Sequence, residues 1–417
     1  MKSHRNALVL VLSLAFAQSP VLAADPIAVL FVGNSYTFGR VDPVMSYNAA
    51  NVRDLTASMW ATNASGSNAF EPHPWSGVAG IFKQFTVQAG LNYDVALSTR
   101  NAASLRGHLL NTNAAGWDLR GNIGSQVWSQ VVLQEQSDEP LIKRTGLASN
   151  PDYFRNYVDK IEDYVHLGAA TSFRERDFFP GATTTEQTAA CVAATGASAT
   201  SCNTLRNIPA NAGASAATQL YLYQTWARPN LVAGAFVTST DPSTGAVTRT
   251  DTPATTFFPN LESMTDELRV SYAAAAALAG ANGSGGVRGI APVGQAFMTA
   301  VQAGFATRDM WAPGAASDGL MDLWFDDGTH ASKYGSYLSA LTLFGTLTGL
   351  DPASLGAGEI AALDLGISAG DALGLQQVAS YQLGFATAVP EPGALTLGGL
   401  GLLAVLAAVR RRRALPG

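Results

Sequence analysis

Short unbroken apolar runs recur along this chain, separated by longer stretches in which apolar and polar positions mix. Residues 27–32 lie between Pro26 and Gly33 and contain no polar position. Such a run predicts a strand buried on both faces of a sheet, because a half-exposed strand would alternate. Residues 94–98, 130–134, 220–225 and 287–292 predict four more strands. Residues 80–90, 153–165 and 264–278 suit helices between them, and 294–306 and 334–349 suit helices after the last strand. Strands alternating with helices predict an α/β fold, a parallel sheet covered on both faces.

Two segments break the rhythm. Residues 170–215, rich in Ala, Thr and Ser, read as an insertion, and 238–260, rich in Thr, Asp, Pro and Gly, as a surface hairpin or loop. Residues 351–388 predict a short helical cap and a stalk.

Both ends read as addresses. Lys2 and Arg5 precede an apolar stretch over 7–17, and Val21-Leu22-Ala23 ends in small residues. That is the pattern of a secretory signal peptide over 1–24. At the other end Val389-Pro390-Glu391-Pro392 precedes an apolar run, 393–409, and arginines at 410–413. The run is long enough to cross a bilayer as a helix, and the arginines would hold its end in the cytoplasm. Residues 389–417 resemble the PEP-CTERM sorting signal. The resemblance implies an exported protein of the cell envelope or surface, tethered to the membrane, with an exosortase-type processing enzyme as a partner. A plain C-terminal anchor is the alternative.

Composition narrows the function classes. With 47% apolar and only 13% charged residues, the chain can bury a sizeable core. A net charge of -6 and no basic stripe argue against nucleic acid as a partner. Cys191 and Cys202, in an exported chain, predict a disulfide. The five histidines are scattered, so no metal-ligand spacing stands out and no metal or cofactor is expected.

The chemistry lies at two points. The first predicted strand runs into Gly33-Asn34-Ser35-Tyr36-Thr37, and far downstream stands Asp327-Gly328-Thr329-His330. In an open parallel sheet, ligands sit at the carboxyl ends of the strands, where Ser35 falls. A serine hydroxyl needs a base to become a nucleophile, and His330 is the best candidate. Asp327, three residues earlier on a glycine-containing turn, can hold the imidazole Nδ1; Asp326 is the substitute. Ser35 does not stand in a G-x-S-x-G elbow, which argues against an ordinary α/β-hydrolase.

The segment 31–37 resembles the first conserved block of the SGNH (GDSL-like) hydrolase superfamily. Asp327-Gly328-Thr329-His330 is similar to its last block, and Lys333-Tyr334-Gly335-Ser336-Tyr337-Leu338 also fits. The resemblance spans about 27–350 and implies a flavodoxin-like three-layer α/β/α sandwich that cleaves esters, with the hydrolase domain over 25–350. The middle blocks depart from the family pattern. Its oxyanion-hole glycine is replaced in Arg100-Asn101-Ala102-Ala103-Ser104-Leu105, where a backbone N–H of Ala102 or Ala103 can still serve. Its asparagine is replaced in Leu133-Gln134-Glu135-Gln136-Ser137, where Gln136 is the first choice of amide donor and Gln134 the second.

Asn34 orients the first block or caps a turn. Trp226 stacks on a sugar ring or belongs to the core, and His73-Pro74-Trp75 and His108 are candidates for the pocket wall. The resulting expectation is a Ser35–His330–Asp327 esterase acting on O-acyl, above all acetyl, groups of extracellular polysaccharide. Its competitors are a catalytically silent polysaccharide-binding protein and an O-acyltransferase.

Overall fold

The apolar run after Pro26 forms strand β1 (Ile27–Gly33), with Val29, Leu30, Phe31 and Val32 wholly buried. That burial on both faces is why the run holds no polar position. In the computed structural model, which describes residues 25–40, 42–62, 75–113, 117–241 and 244–389, four further long strands join it. They are β2 (Tyr93–Thr99), β3 (Gln130–Gln134), β4 (Gln219–Tyr223) and β5 (Val287–Ala291). All pair in parallel, in the order β2-β1-β3-β4-β5, with a two-residue edge pair, Arg53–Asp54, outside β2. This is the flavodoxin-like order, whose direction reverses at β1 and leaves a crevice between the carboxyl ends of β1 and β3.

Helices cover both faces. On one side α1 (Gly77–Gln88) packs against the later helix Lys333–Thr348, with Phe82 edge-on to Phe31 at 5.4 Å and Phe85 edge-on to Tyr337. On the other, α2 (Pro151–His166) packs against α3 (Leu261–Ala279), where Phe154 meets Tyr272 at 4.8 Å. Pro151 opens α2, where its missing N–H costs nothing, and Phe154, Tyr157, Val158, Ile161 and Val165 form the buried stripe. Next come α4 (Val293–Gln302), which touches α3, and α5, the Lys333–Thr348 helix. The result is an α/β/α sandwich.

Residues 351–388 hold more than a cap and a stalk. Helix α6 (Ala369–Gln382) buries Ala372, Leu375, Val378 and Ala379 and packs on α5 and α4, so the core continues to Gln382. Small residues on both faces of α6 leave little apolar contrast in its sequence, which hid it.

The insertion contains an antiparallel pair, Thr171–Arg174 with Leu205–Ile208, and two helices, Thr184–Thr195 and Ala199–Asn203, joined by the Cys191–Cys202 disulfide. The predicted surface hairpin is the pair Phe236–Thr240 and Val247–Pro253. Among the described residues no helix is long and apolar enough to cross a membrane. The signal peptide, His73-Pro74 and the apolar run over 393–409 with its arginines lie outside the described residues.

Candidate active site

Ser35 stands one residue beyond the end of β1, as the first residue of a helical turn, Ser35–Phe38. Asn34 caps that turn, its Oδ1 accepting from Tyr36 N at 3.0 Å. Gly33 is required by close approach: a Cβ there would lie 2.4 Å from Gln134 Oε1 and 2.6 Å from Thr37 Oγ. The serine loop is thereby pressed onto the end of β3.

His330 arrives from the other end of the chain. Its Nε2 lies 2.9 Å from Ser35 Oγ, and its Nδ1 lies 2.7 Å from Asp327 Oδ2. Asp327 Oδ1 accepts from the backbone N–H groups of Thr329 and His330 at 2.8 and 2.9 Å. Burial alone would raise the Asp327 carboxyl. The His330 hydrogen bond and charge, with the two backbone donors, outweigh it and hold the group at about 2. An ionised carboxylate only accepts, so the imidazole proton sits on Nδ1, and Nε2 is left to accept from the serine hydroxyl. The turn needs Gly328, which has φ +63° and lies against the Trp311 ring and Asn230 N.

Three N–H donors near this pair have no acceptor among the described residues: Ser35 N, Ala102 N and the Gln136 amide. They stand on the loops after β1, β2 and β3, which are neighbours in the sheet. Asn34 ties those loops together. Its Nδ2 donates to Ala103 O at 3.0 Å and to Gln136 Oε1 at 2.8 Å, which leaves the Gln136 NH₂ to point elsewhere. Ala102 has φ +52°, the left-handed backbone that glycine favours. The glycine conformation is thus present although the glycine is not.

Other residues singled out in the sequence fall behind the site. Gln134 is fully buried; its Oε1 accepts from Asn34 N and Thr37 Oγ, each at 2.9 Å, and its NH₂ donates to Glu135 O. With both ends occupied it braces the serine loop and offers no oxyanion donor. His108 is fully buried, with Nε2 2.8 Å from Gly33 O. Burial, helped by the Arg100 charge and opposed by that carbonyl, lowers its pKa to about 4, so it is a neutral strut and not a pocket wall. Trp226 cannot stack on a sugar, because Tyr36 covers one face at 4.2 Å and Phe297 lies parallel at 4.9 Å. Its indole N–H donates to Thr329 O at 3.0 Å, so it supports the Asp327–His330 loop. Trp75 is buried against Phe38.

Three supporting residues had no signal in the sequence. Thr240, on the surface hairpin, donates its hydroxyl to Asp327 Oδ2 at 3.0 Å, and Thr238 donates to Asp327 O at 3.1 Å. Arg228 links the loop after β3 to the Asp327–His330 loop, donating to Ser137 Oγ at 2.9 Å and to Thr329 Oγ at 3.4 Å. No group of His, Cys, Asp and Glu among the described residues could hold a metal ion.

Comparison with known proteins bears on the tail. The profile of the PEP-CTERM protein-sorting motif matches residues 388–413. The chain carries a PEP-CTERM sorting signal. That signal marks an exported protein of the cell envelope or surface and implies processing by an exosortase-type enzyme. No curated protein matches the chain. Among solved structures, a protein proposed to be an SGNH hydrolase, from Slackia heliotrinireducens, is 17% identical over 78% of this chain and 100% of its own, with a TM-score of 0.35. A DUF4886 family protein from Bacteroides uniformis is 14% identical over 88% of this chain and 98% of its own, with a TM-score of 0.41. At such scores the likeness carries no weight, and the fold stands on the strand order described above.

Proposed function

We propose that this exported protein is a serine ester hydrolase of the SGNH type that removes acyl groups, above all acetyl groups, from carbohydrate. The observation that carries this reading is the line of Ser35 Oγ, His330 and Asp327 at 2.9 and 2.7 Å, placed at the point where the strand order reverses.

In this mechanism His330 Nε2 takes the Ser35 proton as Oγ bonds to the ester carbonyl carbon. The carbonyl oxygen becomes an oxyanion and receives the N–H groups of Ser35, Ala102 and Gln136. Collapse breaks the ester C–O bond, and the imidazolium returns the proton to the departing sugar hydroxyl. Water, deprotonated by His330, then attacks the acyl-serine and releases the acid. Asp327 stays ionised throughout and stabilises the imidazolium.

Exported location supports an extracellular polysaccharide as the carrier of the ester. Acetate release from an acetylated polysaccharide, followed against a sugar acceptor, tests both the substrate and the choice of water over transfer. Acetate in solution is expected; acetyl groups moved to the acceptor would make the protein a transferase, and no release at all would remove acetylated polysaccharide as the substrate.

A further inference from the structure

Two of the proposed oxyanion donors sit on different loops: Ala102 N follows β2, and the Gln136 side-chain amide follows β3. They help a developing oxyanion only if both are held in advance at the spacing it needs. Asn34 holds Ala103 O on the first loop, but on the second it holds only the Gln136 side chain. The main chain of the second loop is tied by another residue.

That residue is Glu135. Its Oε1 accepts from Leu105 N at 2.9 Å and from Gln136 N at 2.6 Å. Both N–H groups converge on one oxygen, so the loops cannot part without breaking one of the two bonds. Leu105 is fully buried and lies three residues after Ala102. The residues between are folded tightly: Ala103 N donates to Arg100 O at 3.1 Å, and Ser104 Oγ accepts from Gly107 N at 3.2 Å. A shift of Leu105 is therefore passed to Ala102, and a shift of Gln136 N moves the amide its side chain carries.

The charge state suits this role. Glu135 is buried, and its Oε2 has no hydrogen-bond partner among the described residues. The cations around the loop are engaged elsewhere: Arg106 by Glu175, Arg228 by Ser137 and Asp138, and Lys143 by Ser149 O. Burial, with the Glu139 charge next, pushes the carboxyl well above the usual carboxylate range, against the Gln136 and Leu105 N–H groups. A neutral acid still accepts both N–H groups and sets no negative charge beside the oxyanion. Glutamine has the same reach and the same accepting oxygen.

We propose that Glu135 is a positioning residue, whose Oε1 fixes the spacing of the oxyanion donors on the loops after β2 and β3. The catalytic half of this inference rests on the hydrolase reading; the tie between the loops does not.

The test measures p-nitrophenyl acetate hydrolysis and peptide-resolved hydrogen exchange on the full chain, with circular dichroism and urea midpoints as fold checks. The parent is compared with Ser35→Ala, Glu135→Gln, Glu135→Asp and Glu135→Ala. Glu135→Gln is expected to keep kcat and the exchange protection of residues 100–106 and 134–138. Glu135→Asp falls one methylene short, so kcat should drop about 10- to 100-fold with KM little changed, and both segments should exchange faster. Glu135→Ala should do the same; if it does not fold, the Asp and Gln variants carry the test. Parent-like kcat in Glu135→Asp, even with a lower urea midpoint, would leave Glu135 a packing role and overturn the proposal. So would a loss in Glu135→Gln equal to that in Glu135→Asp, or a loss of kcat with exchange unchanged. If the parent shows no hydrolysis that Ser35→Ala removes, the hydrolase reading fails and exchange alone judges the tie. Both segments loosened in Glu135→Asp but not in Glu135→Gln would then support it, and any other pattern would overturn it.

Discussion

Thr240 Oγ donates a 3.0 Å hydrogen bond to Asp327 Oδ2, the same oxygen that faces His330 Nδ1. An exposed hairpin thereby reaches the carboxylate that sets the imidazole. Hydrogen bonds to charged groups are worth about 1.5–3 kcal/mol. Thr240→Val is expected to lower kcat about tenfold with KM little changed. Thr240→Ser should restore it, as steady-state kinetics on a chromogenic ester will check. Equal losses in both variants would assign Thr240 a packing role only.

The two glutamines after β3 should separate cleanly. Gln136→Ala removes a proposed oxyanion donor and is expected to slow turnover by roughly 10²–10³, with the urea midpoint little changed. Gln134→Ala strips partners from Asn34 N and Thr37 Oγ in a fully buried setting. Its first effect is lower stability, on the order of 1–3 kcal/mol. Urea unfolding and kcat measured on both variants decide the point.

Ala102 holds a backbone that costs an L-residue about 1–2 kcal/mol relative to glycine. Part of that gain is offset by the greater freedom of glycine in the unfolded chain. Ala102→Gly is therefore expected to keep activity, because the donor is main chain, and to be neutral or stabilising by up to about 1 kcal/mol. Ala102→Val should lose both stability and activity, since a β-branched residue resists positive φ.

The Glu139 carboxyl should make stability fall as pH rises through the weakly acidic range, against His108, whose lowered pKa acts in the opposite direction there. Burial first, then the Asp138 charge, push the Glu139 carboxyl up from 4.5 to about 8, against Arg106 and Lys143. Between those values the folded chain keeps a proton that the unfolded chain releases, so raising the pH favours unfolding; below 4.5 both states hold it and the effect vanishes. Urea midpoints at pH 5 and pH 8 should differ less in Glu139→Gln than in the parent. Glu135, shifted upward chiefly by burial and next by Glu139, leaves a residual slope of the same sign. Identical slopes in parent and variant would contradict this.

Much of the scaffold could be read from local pattern, because β1 to β4 are buried at most positions and centre on short apolar runs, β5 with its exposed Arg288 being the exception. The run over 130–134 coincides with β3 residue for residue, and β1 extends one residue past the predicted end. Helix α6 has little apolar contrast because its buried positions include Gly374, Gln376 and Ser380 beside Ala372, Leu375, Val378 and Ala379.

At the site, Ser35, Asp327 and His330 were visible because each stands in a short local motif. The supports were not visible, because they act across long separations: Thr240 meets Asp327 over 87 residues and Trp226 meets Thr329 over 103. The second gap is conformational. A positive φ at an alanine leaves no mark in the sequence, so the loop after β2 read only as a missing glycine. Likewise, which glutamine faces inward depends on the Asn34 bridge between three loops.

Ser35 is the proposed nucleophile on which the whole mechanism depends. Its most direct test is hydrolysis of p-nitrophenyl acetate by the protein and by Ser35→Ala, with circular dichroism on both. Activity in the parent, lost in a variant that keeps the same spectrum, is the predicted result. Equal activity in the two, or none in the parent, would contradict the mechanism and leave a binding protein with an idle Ser–His–Asp line.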